Sequence, residues 1–199
     1  MDFVDRYLTE LESVVHRISR EDIGRVVDAL MEAWTNRRTV FLIGNGGSAA
    51  TASHMMNDIC KFTAVDGLPR FRCISLTDNV PLMTAIGNDV CYTDIFVEPM
   101  MNLFNDEDVL IAISASGNSA NIVKAVEYAK RRGATVIGFC GQPGGRLAQL
   151  ADLKVVIPSD RIGQQEDGHM ILDHVISAAL RERLLALSAA GGPPRSSRA

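Results

Sequence analysis

The chain has 199 residues and a formal net charge of −4; 47% of its residues are hydrophobic and 22% are charged. This composition is typical of a globular protein, and the length suits one domain with a sizeable core. The charges are mixed without a basic stripe, and no apolar run approaches the roughly 20 residues of a membrane span, so we expect neither a nucleic-acid-binding nor a membrane protein.

Two amphipathic helices are predicted before the first strand. Apolar residues recur at helical spacing over 2–18, and Ser19-Arg20-Glu21-Asp22 has the form of a capping box that opens a second helix. The apolar face of an amphipathic helix often packs against another subunit when its own domain offers no partner for it. We therefore expect residues 1–36 to cover the core and to support oligomerisation.

From Thr39 onward, short apolar runs alternate with helical stretches. The runs lie at 39–44, 71–76, 109–114, 134–141 and 153–158. This alternation is typical of βαβ units and of a parallel sheet buried on both faces. We predict an α/β fold of three α/β/α layers with a five-stranded, flavodoxin-like parallel sheet that binds ligands at the carboxyl ends of its strands.

A helix over 119–133 follows the third run, and a final helix is predicted to begin near Gln165. The tail, 189–199, is basic and rich in small residues, Pro and Gly, which predicts disorder. We therefore expect one domain over 1–188 followed by a disordered tail.

The cysteines are widely spaced and form no C-x-x-C pair. They are Cys60, Cys73, Cys91 and Cys140. The sequence also begins without the basic and apolar regions of a secretion signal. We therefore expect a cytoplasmic protein with reduced thiols, in which these cysteines fill the core.

Two loops after predicted strands have the composition of phosphate-binding loops. Gly44-Asn45-Gly46-Gly47-Ser48 matches neither the Rossmann nor the Walker pattern. Ser114-Ala115-Ser116-Gly117-Asn118-Ser119 precedes a helix, whose free N–H groups and dipole favour an anion, although an ordinary serine-capped turn is the alternative. Because both loops follow strands, we predict a phosphomonoester site. At Pro143-Gly144-Gly145 an ordinary turn is preferred.

His54 and Asp58 lie four residues apart on the helix that is predicted after the first loop. Their side chains therefore share one face of that helix. A carboxylate at this position suits a catalytic base or a metal ligand. The alternative for Asp58 is a solvated charge on the helix surface, and for His16 we prefer a structural role.

Four segments together resemble the sugar isomerase (SIS) domain family, and most closely the phosphoheptose isomerases within it. They are "GNGGSAATASH" (44–54), "TAIGND" (84–89), "DVLIAISASGNSANIVKA" (108–125) and "GATVIGFCGQPGGRLAQLAD" (133–152). The likeness extends from residue 40 to about 180. It implies an α/β/α fold, usually as a homotetramer with active sites between subunits, and a reaction that interconverts sedoheptulose 7-phosphate and D-glycero-D-manno-heptose 7-phosphate.

The resemblance also assigns roles to residues of this chain. The residues implied to contact the substrate are Asn45, Gly46, Gly47, Ser48, Asp89, Ser114, Ser116, Ser119 and Glu166. The implied catalytic carboxylate and histidine are Asp58 and His174. Family members with bound zinc use four positions that match His54, Asp58, Glu166 and His174.

The chain departs from the family pattern at the implied metal site. Asp58 stands where the family usually has Glu, Glu166 stands where it usually has Gln, and Lys61-Phe62 lies where an arginine is expected. Two imidazoles with two carboxylates suit zinc, and the carboxylates offset its charge. We therefore expect this chain to bind its metal more firmly than typical relatives do.

The spacing of the last helix and the resemblance favour different histidines. At about 100° per residue, Glu166, His169 and Asp173 share one face, while His174 lies about 80° from Glu166. Spacing thus favours His169, and the resemblance favours His174. We follow the resemblance and expect Glu166 to lie in an irregular first turn.

Aldose–ketose isomerisation moves a proton between adjacent carbons through an enediol. It needs a base, an acid and a group that stabilises negative charge on oxygen, which a metal can supply as a Lewis acid. We expect this reaction on the heptose phosphate. The alternatives are a non-catalytic SIS protein that binds a sugar phosphate or a protein partner, and an isomerase of another phosphosugar.

Overall fold

A computed structural model, which describes residues 2–191, contains one five-stranded parallel sheet. Its strands are β1 (Thr39–Gly44), β2 (Arg72–Ser75), β3 (Val109–Ser114), β4 (Thr135–Gly141) and β5 (Leu153–Ile157). The strand order is β2-β1-β3-β4-β5, which confirms the predicted flavodoxin-like sheet. The strand order reverses between β1 and β3, and such a switch point is where ligands bind in this class of fold.

Helices cover both faces of the sheet. They are α1 (Phe3–Arg17), α2 (Arg20–Thr35), α3 (Gly47–Asn57), α4 (Val80–Asp89), α5 (Val97–Leu103), α6 (Ala120–Arg131), α7 (Gly145–Leu150) and α8 (Ile162–Ala189). A π-helical segment (Asp58–Phe62) continues α3, and a 3₁₀ turn (Tyr92–Asp94) follows α4.

The core forms two layers on opposite faces of the sheet. Leu30 of α2, Met55 of α3 and Ile176 of α8 are among the residues that fill one layer. The other contains Met100 of α5 and Val126 of α6. The three α/β/α layers that the sequence predicts are therefore confirmed.

Local signals in the sequence define several helix ends. The Ser19 side chain accepts a hydrogen bond from the Asp22 N–H (3.1 Å), which is one of the two hydrogen bonds of a capping box. Ser119 is the N-cap of α6. Strands β1 and β3 are buried along their whole length, which explains their uninterrupted apolar runs.

The last helix differs from its prediction at both ends. It begins at Ile162, ahead of Gln165, and it is α-helical through Glu166, so the expected irregular first turn is wrong. It ends at Ala189, within the predicted tail; residues 192–199 of that tail lie outside the described residues. Over residues 2–191, no helix is both long and apolar enough to cross a membrane.

The cysteines fill the core less than expected. Cys140 on β4 is buried, but Cys60, Cys73 and Cys91 are only partly buried. Cys73 nevertheless packs against the core layer that contains Leu30, so the prediction of core-filling thiols is wrong for Cys60 and Cys91 only.

Candidate active site

The first loop joins β1 to α3 at the carboxyl edge of the sheet. Gly46 adopts φ 54°, a left-handed conformation that glycine reaches without strain. Ser48 is buried in the first turn of α3. The free N–H groups of this turn and the dipole of the helix favour an anion.

The second loop joins β3 to α6 on the other side of the switch point. The Ser114 Oγ accepts a hydrogen bond from the Gly117 N–H (3.1 Å), and the Ser116 Oγ accepts one from the N–H two residues on (3.2 Å). A Cβ on Gly117 would lie 2.0 Å from the Gly144 carbonyl oxygen, so only glycine fits. These contacts fix the shape of the loop.

A cleft of about 480 Å³ lies between these loops and the start of α8. Six predicted substrate-binding residues line it: Asn45, Ser48, Ser114, Ser116, Ser119 and Glu166. Gln142 and Pro143 also line it, so the segment predicted as an ordinary turn forms part of the wall. Among the described residues of this lining there is no Lys or Arg, so an anion here must be held by hydroxyls and amides.

A pair of asparagines ties the first loop to α6. The Asn45 Nδ2 donates to the Asn121 Oδ1 (2.9 Å), and the Asn121 Nδ2 donates to the Asn45 Oδ1 (2.8 Å). Asn121 is 2% exposed, and the Tyr92 hydroxyl also donates to the Asn45 Oδ1. Asn121 was not predicted from the sequence; a polar residue on the apolar side of a helix was the available signal.

The other predicted substrate-binding residues do not line the cleft. Gly46 and Gly47 belong to the backbone of the first loop. Asp89 is exposed at the end of α4, where it accepts a hydrogen bond from the Asn88 Nδ2 (2.7 Å). Within one chain, Asp89 is therefore not brought into this site.

Helices α3 and α8 lie side by side and run in the same direction. A Cβ on Gly47 would lie 2.4 Å from the Glu166 Oε1, so the carboxylate occupies the space that the glycine leaves. Further along both helices, the His54 Nε2 lies 3.3 Å from the His174 Nε2. At 1.5 Å per residue, these two contacts are about 11 Å apart.

A cluster of two imidazoles and two carboxylates lies at the second contact. His54, Asp58, Asp173 and His174 can each offer one ligand atom, and these atoms lie within 4.8 Å of one another. The His54 Nε2 lies 3.7 Å from the Asp58 Oδ2 and 3.9 Å from the Asp173 Oδ2. The structure thus brings together the predicted residues His54, Asp58 and His174, and it adds Asp173.

The Asp173 carboxyl is fully buried, and burial raises its pKa to about 6. The Asp58 carboxylate also raises the pKa of Asp173, whereas His54, His174 and a hydrogen bond from the Ser177 hydroxyl (3.2 Å) lower it. The Asp173 Oδ2 has no hydrogen-bond partner in the described part of the chain. A positive charge at the cluster would offset both the burial and the repulsion.

The geometry of the cluster fits a divalent metal ion. In a tetrahedral zinc site with bonds of about 2.0–2.2 Å, neighbouring ligand atoms lie roughly 3.3–3.6 Å apart. The separations from the His54 Nε2 are 3.3, 3.7 and 3.9 Å, at or slightly above this range, and all four ligand atoms lie within 4.8 Å of one another. Because the Asp173 Oδ2 is unpartnered, it is available as a ligand, and imidazoles with carboxylates suit zinc.

Two other residues of α8 lie outside the cluster. Glu166 lines the cleft instead of joining the four clustered residues. His169, which helix spacing favoured, is fully buried, and burial lowers its pKa to about 4. Asp173 was missed as a ligand, although spacing had placed it on the face that carries Glu166 and His169.

Comparison with known proteins assigns the chain to a family. The sequence profile of the SIS domain matches residues 4–141, which is more than half of the chain. The chain belongs to the SIS domain family. It also falls among the phosphoheptose isomerases of that family, because relatives with this name are more than 30% identical to it over most of its length.

Two relatives illustrate the extent of the match. The phosphoheptose isomerase of Burkholderia pseudomallei (strain K96243) is 38% identical over 156 residues, which are 77% of this SIS chain and 78% of that protein. The phosphoheptose isomerase of Aneurinibacillus thermoaerophilus is 35% identical over 164 residues, and these are 81% of each chain.

Solved structures agree with this SIS assignment. The phosphoheptose isomerase of Neisseria gonorrhoeae superposes with a TM-score of 0.83 at 28% identity, over 90% of this chain and 97% of that one. The enzyme from Francisella tularensis gives a TM-score of 0.82 at 27% identity, over 92% of this chain and 100% of that one.

Proposed function

We propose that this SIS protein is a phosphoheptose isomerase that interconverts sedoheptulose 7-phosphate and D-glycero-D-manno-heptose 7-phosphate. One observation carries the proposal: a serine-lined cleft and a histidine–carboxylate cluster lie along the same pair of helices. A protein that only bound a sugar phosphate would need the cleft but not the cluster. The names of the relatives support the substrate class.

The phosphate binds in the cleft in this proposal. Hydroxyls of Ser48, Ser114, Ser116 and Ser119 line it, together with the N-terminus of α3. Hydrogen bonds and helix dipoles hold the anion, since no cationic side chain is among the described lining residues. The sugar then lies along α3 and α8 and extends toward the cluster, which is about 11 Å from the Gly47–Glu166 contact.

Asp58 and His174 form the proposed acid–base pair. The Asp58 carboxylate takes the proton from the carbon beside the carbonyl, and the His174 imidazole exchanges a proton with the oxygen of the enediol. Asn45 and Glu166 orient the hydroxyls of the sugar. Asp89 does not line the cleft of its own chain, and we propose that it acts at the site of a neighbouring subunit.

The same cluster can hold a metal, and the proposed ion is zinc, bound by His54, Asp58, Asp173 and His174. An imidazole nitrogen that binds the ion cannot exchange a proton, so the acid–base role of His174 belongs to the metal-free site. Support comes from the unpartnered Asp173 Oδ2 and from the ligand separations described above. A bound zinc ion would supply a Lewis acid for the carbonyl and the neighbouring hydroxyl. This set replaces the predicted Glu166 with Asp173, and both sets contain two carboxylates that offset the charge of the ion.

A homotetramer is proposed from the apolar surface of α1. Phe3, Val4 and Leu8 are 57%, 58% and 58% exposed, which is costly unless another chain covers them. Sedimentation velocity on the purified protein measures the assembly; a monomer would contradict the proposal. The cytoplasmic location stays a prediction of the sequence.

The reaction is tested with sedoheptulose 7-phosphate in deuterated water. We expect the aldose to appear with deuterium at C2, because the enediol route exchanges that proton with solvent. Asp58→Asn and His174→Ala should each lower turnover by roughly 100-fold or more, the typical contribution of general acid–base catalysis. Inorganic phosphate should bind both variants as it binds the wild type.

Ser116→Ala, in the cleft, is the control for the two cluster variants. It should weaken phosphate binding and raise KM while kcat changes little. Tight binding of the heptose phosphate without turnover would contradict the isomerase activity and favour a regulator that binds the sugar phosphate. Turnover of shorter phosphosugars alone would contradict the assignment of the heptose phosphate as the substrate. Wild-type rates in both cluster variants would contradict the assignment of Asp58 and His174.

A further inference from the structure

Two cysteines lie together beside the cluster, and the proposed mechanism uses neither. Cys60 belongs to the π-helical segment, and Cys73 belongs to the edge strand β2. The Cys60 thiol donates a hydrogen bond to the Cys73 carbonyl oxygen (3.6 Å), and the two thiols are near enough to shift each other's pKa, that of Cys60 down and that of Cys73, already raised by burial, further up. We propose that Cys60 and Cys73 form an oxidation-sensitive dithiol that closes to a disulfide and thereby displaces Asp58.

This pair is distinguished from the other cysteines by position and access. Both residues are partly exposed, but the Cys73 thiol is the more deeply buried of the two and burial raises its pKa, so a small oxidant reaches the pair through Cys60. Cys140 is buried in the core layer on the other face of the sheet from the one that Cys73 packs against. Cys91 donates to the Asp94 Oδ2 (2.8 Å), beside the 3₁₀ turn.

The closing step is a two-electron oxidation. The two thiols lose two protons and two electrons, and an S–S bond forms between them. Hydrogen peroxide accepts these and leaves as two molecules of water; alternatively, a small disulfide such as oxidised glutathione accepts them and leaves as two thiols. A dithiol reductant reverses the step.

The disulfide would act on the catalytic cluster through the short π-helical segment. Cys60 follows Asp58 by two residues, and the Asp58 carbonyl accepts the π-helical hydrogen bond from the Thr63 N–H (3.1 Å). A disulfide requires an S–S bond of about 2.05 Å and fixed dihedral angles, so it draws this segment toward β2. Strand β2 is held by its pairing with β1, so the segment that carries Asp58 must adjust.

The experiment treats the purified protein with oxidised glutathione and maps its peptides without reduction. Trypsin leaves Cys73 and Cys91 on one peptide, so mapping is done in Cys91→Ser, which is otherwise matched to the wild type. We expect a Cys60–Cys73 linked peptide that is lighter by two hydrogen atoms than the sum of the separate peptides. Cys60→Ser and Cys73→Ser should each abolish it.

The activity measurement rests on the proposed function, whereas the peptide map does not. Oxidation should lower the isomerase rate by about tenfold or more, since misplacement of a catalytic group by an ångström is that costly. Dithiothreitol should restore the rate, and Cys60→Ser should resist the loss. Free thiols after treatment, or a link that leaves the rate of an active enzyme unchanged, would overturn the proposal.

Discussion

The buried carboxylate of Asp173 stands out at the scale of single residues. Its Oδ2 has no hydrogen-bond partner among residues 2–191, although an isolated carboxylate in a protein interior is costly. Either a protonated His54, at 3.9 Å, or the metal proposed above would compensate for this burial. Glu166, in contrast, lies at the serine-lined cleft. Asp173 and Glu166, although both on α8, therefore have separate surroundings.

Substitution of each carboxylate by its amide tests this separation. Asp173→Asn should lower zinc affinity by at least about tenfold, because even second-shell partners of a metal contribute that much. Glu166→Gln should leave zinc affinity unchanged and should not weaken phosphosugar binding, because it removes a negative charge from the lining of an anion-binding cleft. Equilibrium dialysis with a competing chelator measures the affinities. If only Glu166→Gln lost its zinc, the fourth ligand would be Glu166, as the family resemblance implies, and not Asp173.

At the scale of elements, the contact between α8 and the sheet sets where His174 lies. A Cβ on Gly168 of α8 would lie 2.7 Å from the Ile157 Cγ2 of β5, so the helix approaches the strand closely only with glycine. On the other side of the cluster, the π-helical segment after α3 sets where the Asp58 carboxylate lies, because the segment begins with that residue. Both elements must be in place before the cluster can form.

Two glycine substitutions test how closely α8 packs. Gly168→Ala should destabilise the protein by about 1–3 kcal/mol, the usual cost of overpacking. Gly24→Ala, within α2, should stabilise it by about 0.5–1 kcal/mol, because a Cβ there meets nothing within 4 Å and alanine favours the helix. Urea unfolding followed by circular dichroism measures both. Equal stability of the two variants would contradict this account of the α8–β5 contact.

At the scale of the whole molecule, helix α8 buries a histidine against the sheet. Neither ring nitrogen of His169 has a hydrogen-bond partner of good geometry in the described part of the chain, and the nearby Cys140 backbone opposes the effect of burial on its pKa only in part. Burial lowers the pKa of this imidazole to about 4, below its ordinary value of 6.5. At a pH between these two values, His169 is therefore neutral in the folded chain and protonated in the unfolded chain.

This difference makes the stability of the molecule depend on pH. Above pH 6.5 His169 is neutral in both the folded and the unfolded state and does not affect stability. Between about pH 6.5 and 4 it is protonated only in the unfolded state, so the free energy of unfolding decreases as the pH falls through this range. The loss attributable to His169 is about 3 kcal/mol at 1.36 kcal/mol per pKa unit. In urea unfolding at pH 7 and pH 4, His169→Leu should lose less stability than the wild type by about that amount.

The exposed His16 on α1 provides the control for this measurement. His16→Gln should lose as much stability on acidification as the wild type, because its side chain is 69% exposed and makes only a distant pair with Glu12. An unchanged pH dependence in His169→Leu would show that the burial of His169 does not govern acid stability.

The sequence by itself determined the five strands of this protein and their order along the chain. Strands at 39–44 and 109–114 coincide with β1 and β3, because strands buried on both faces read as continuous apolar runs. The Ser19 cap and the N-cap at Ser119 depend on residues only a few positions away, so they too could be predicted. The two phosphate-type loops followed from the same local signals.

Only the tertiary structure decided which side chains meet. The parallel alignment of α3 with α8 brings Glu166 to Gly47 and His174 to His54. Asp173 consequently joins the cluster, Glu166 joins the cleft and Asp89 joins neither. These contacts link segments more than 100 residues apart, and the spacing of residues along one helix carries no information on the position of another. The packing of both helices on a common sheet sets that position.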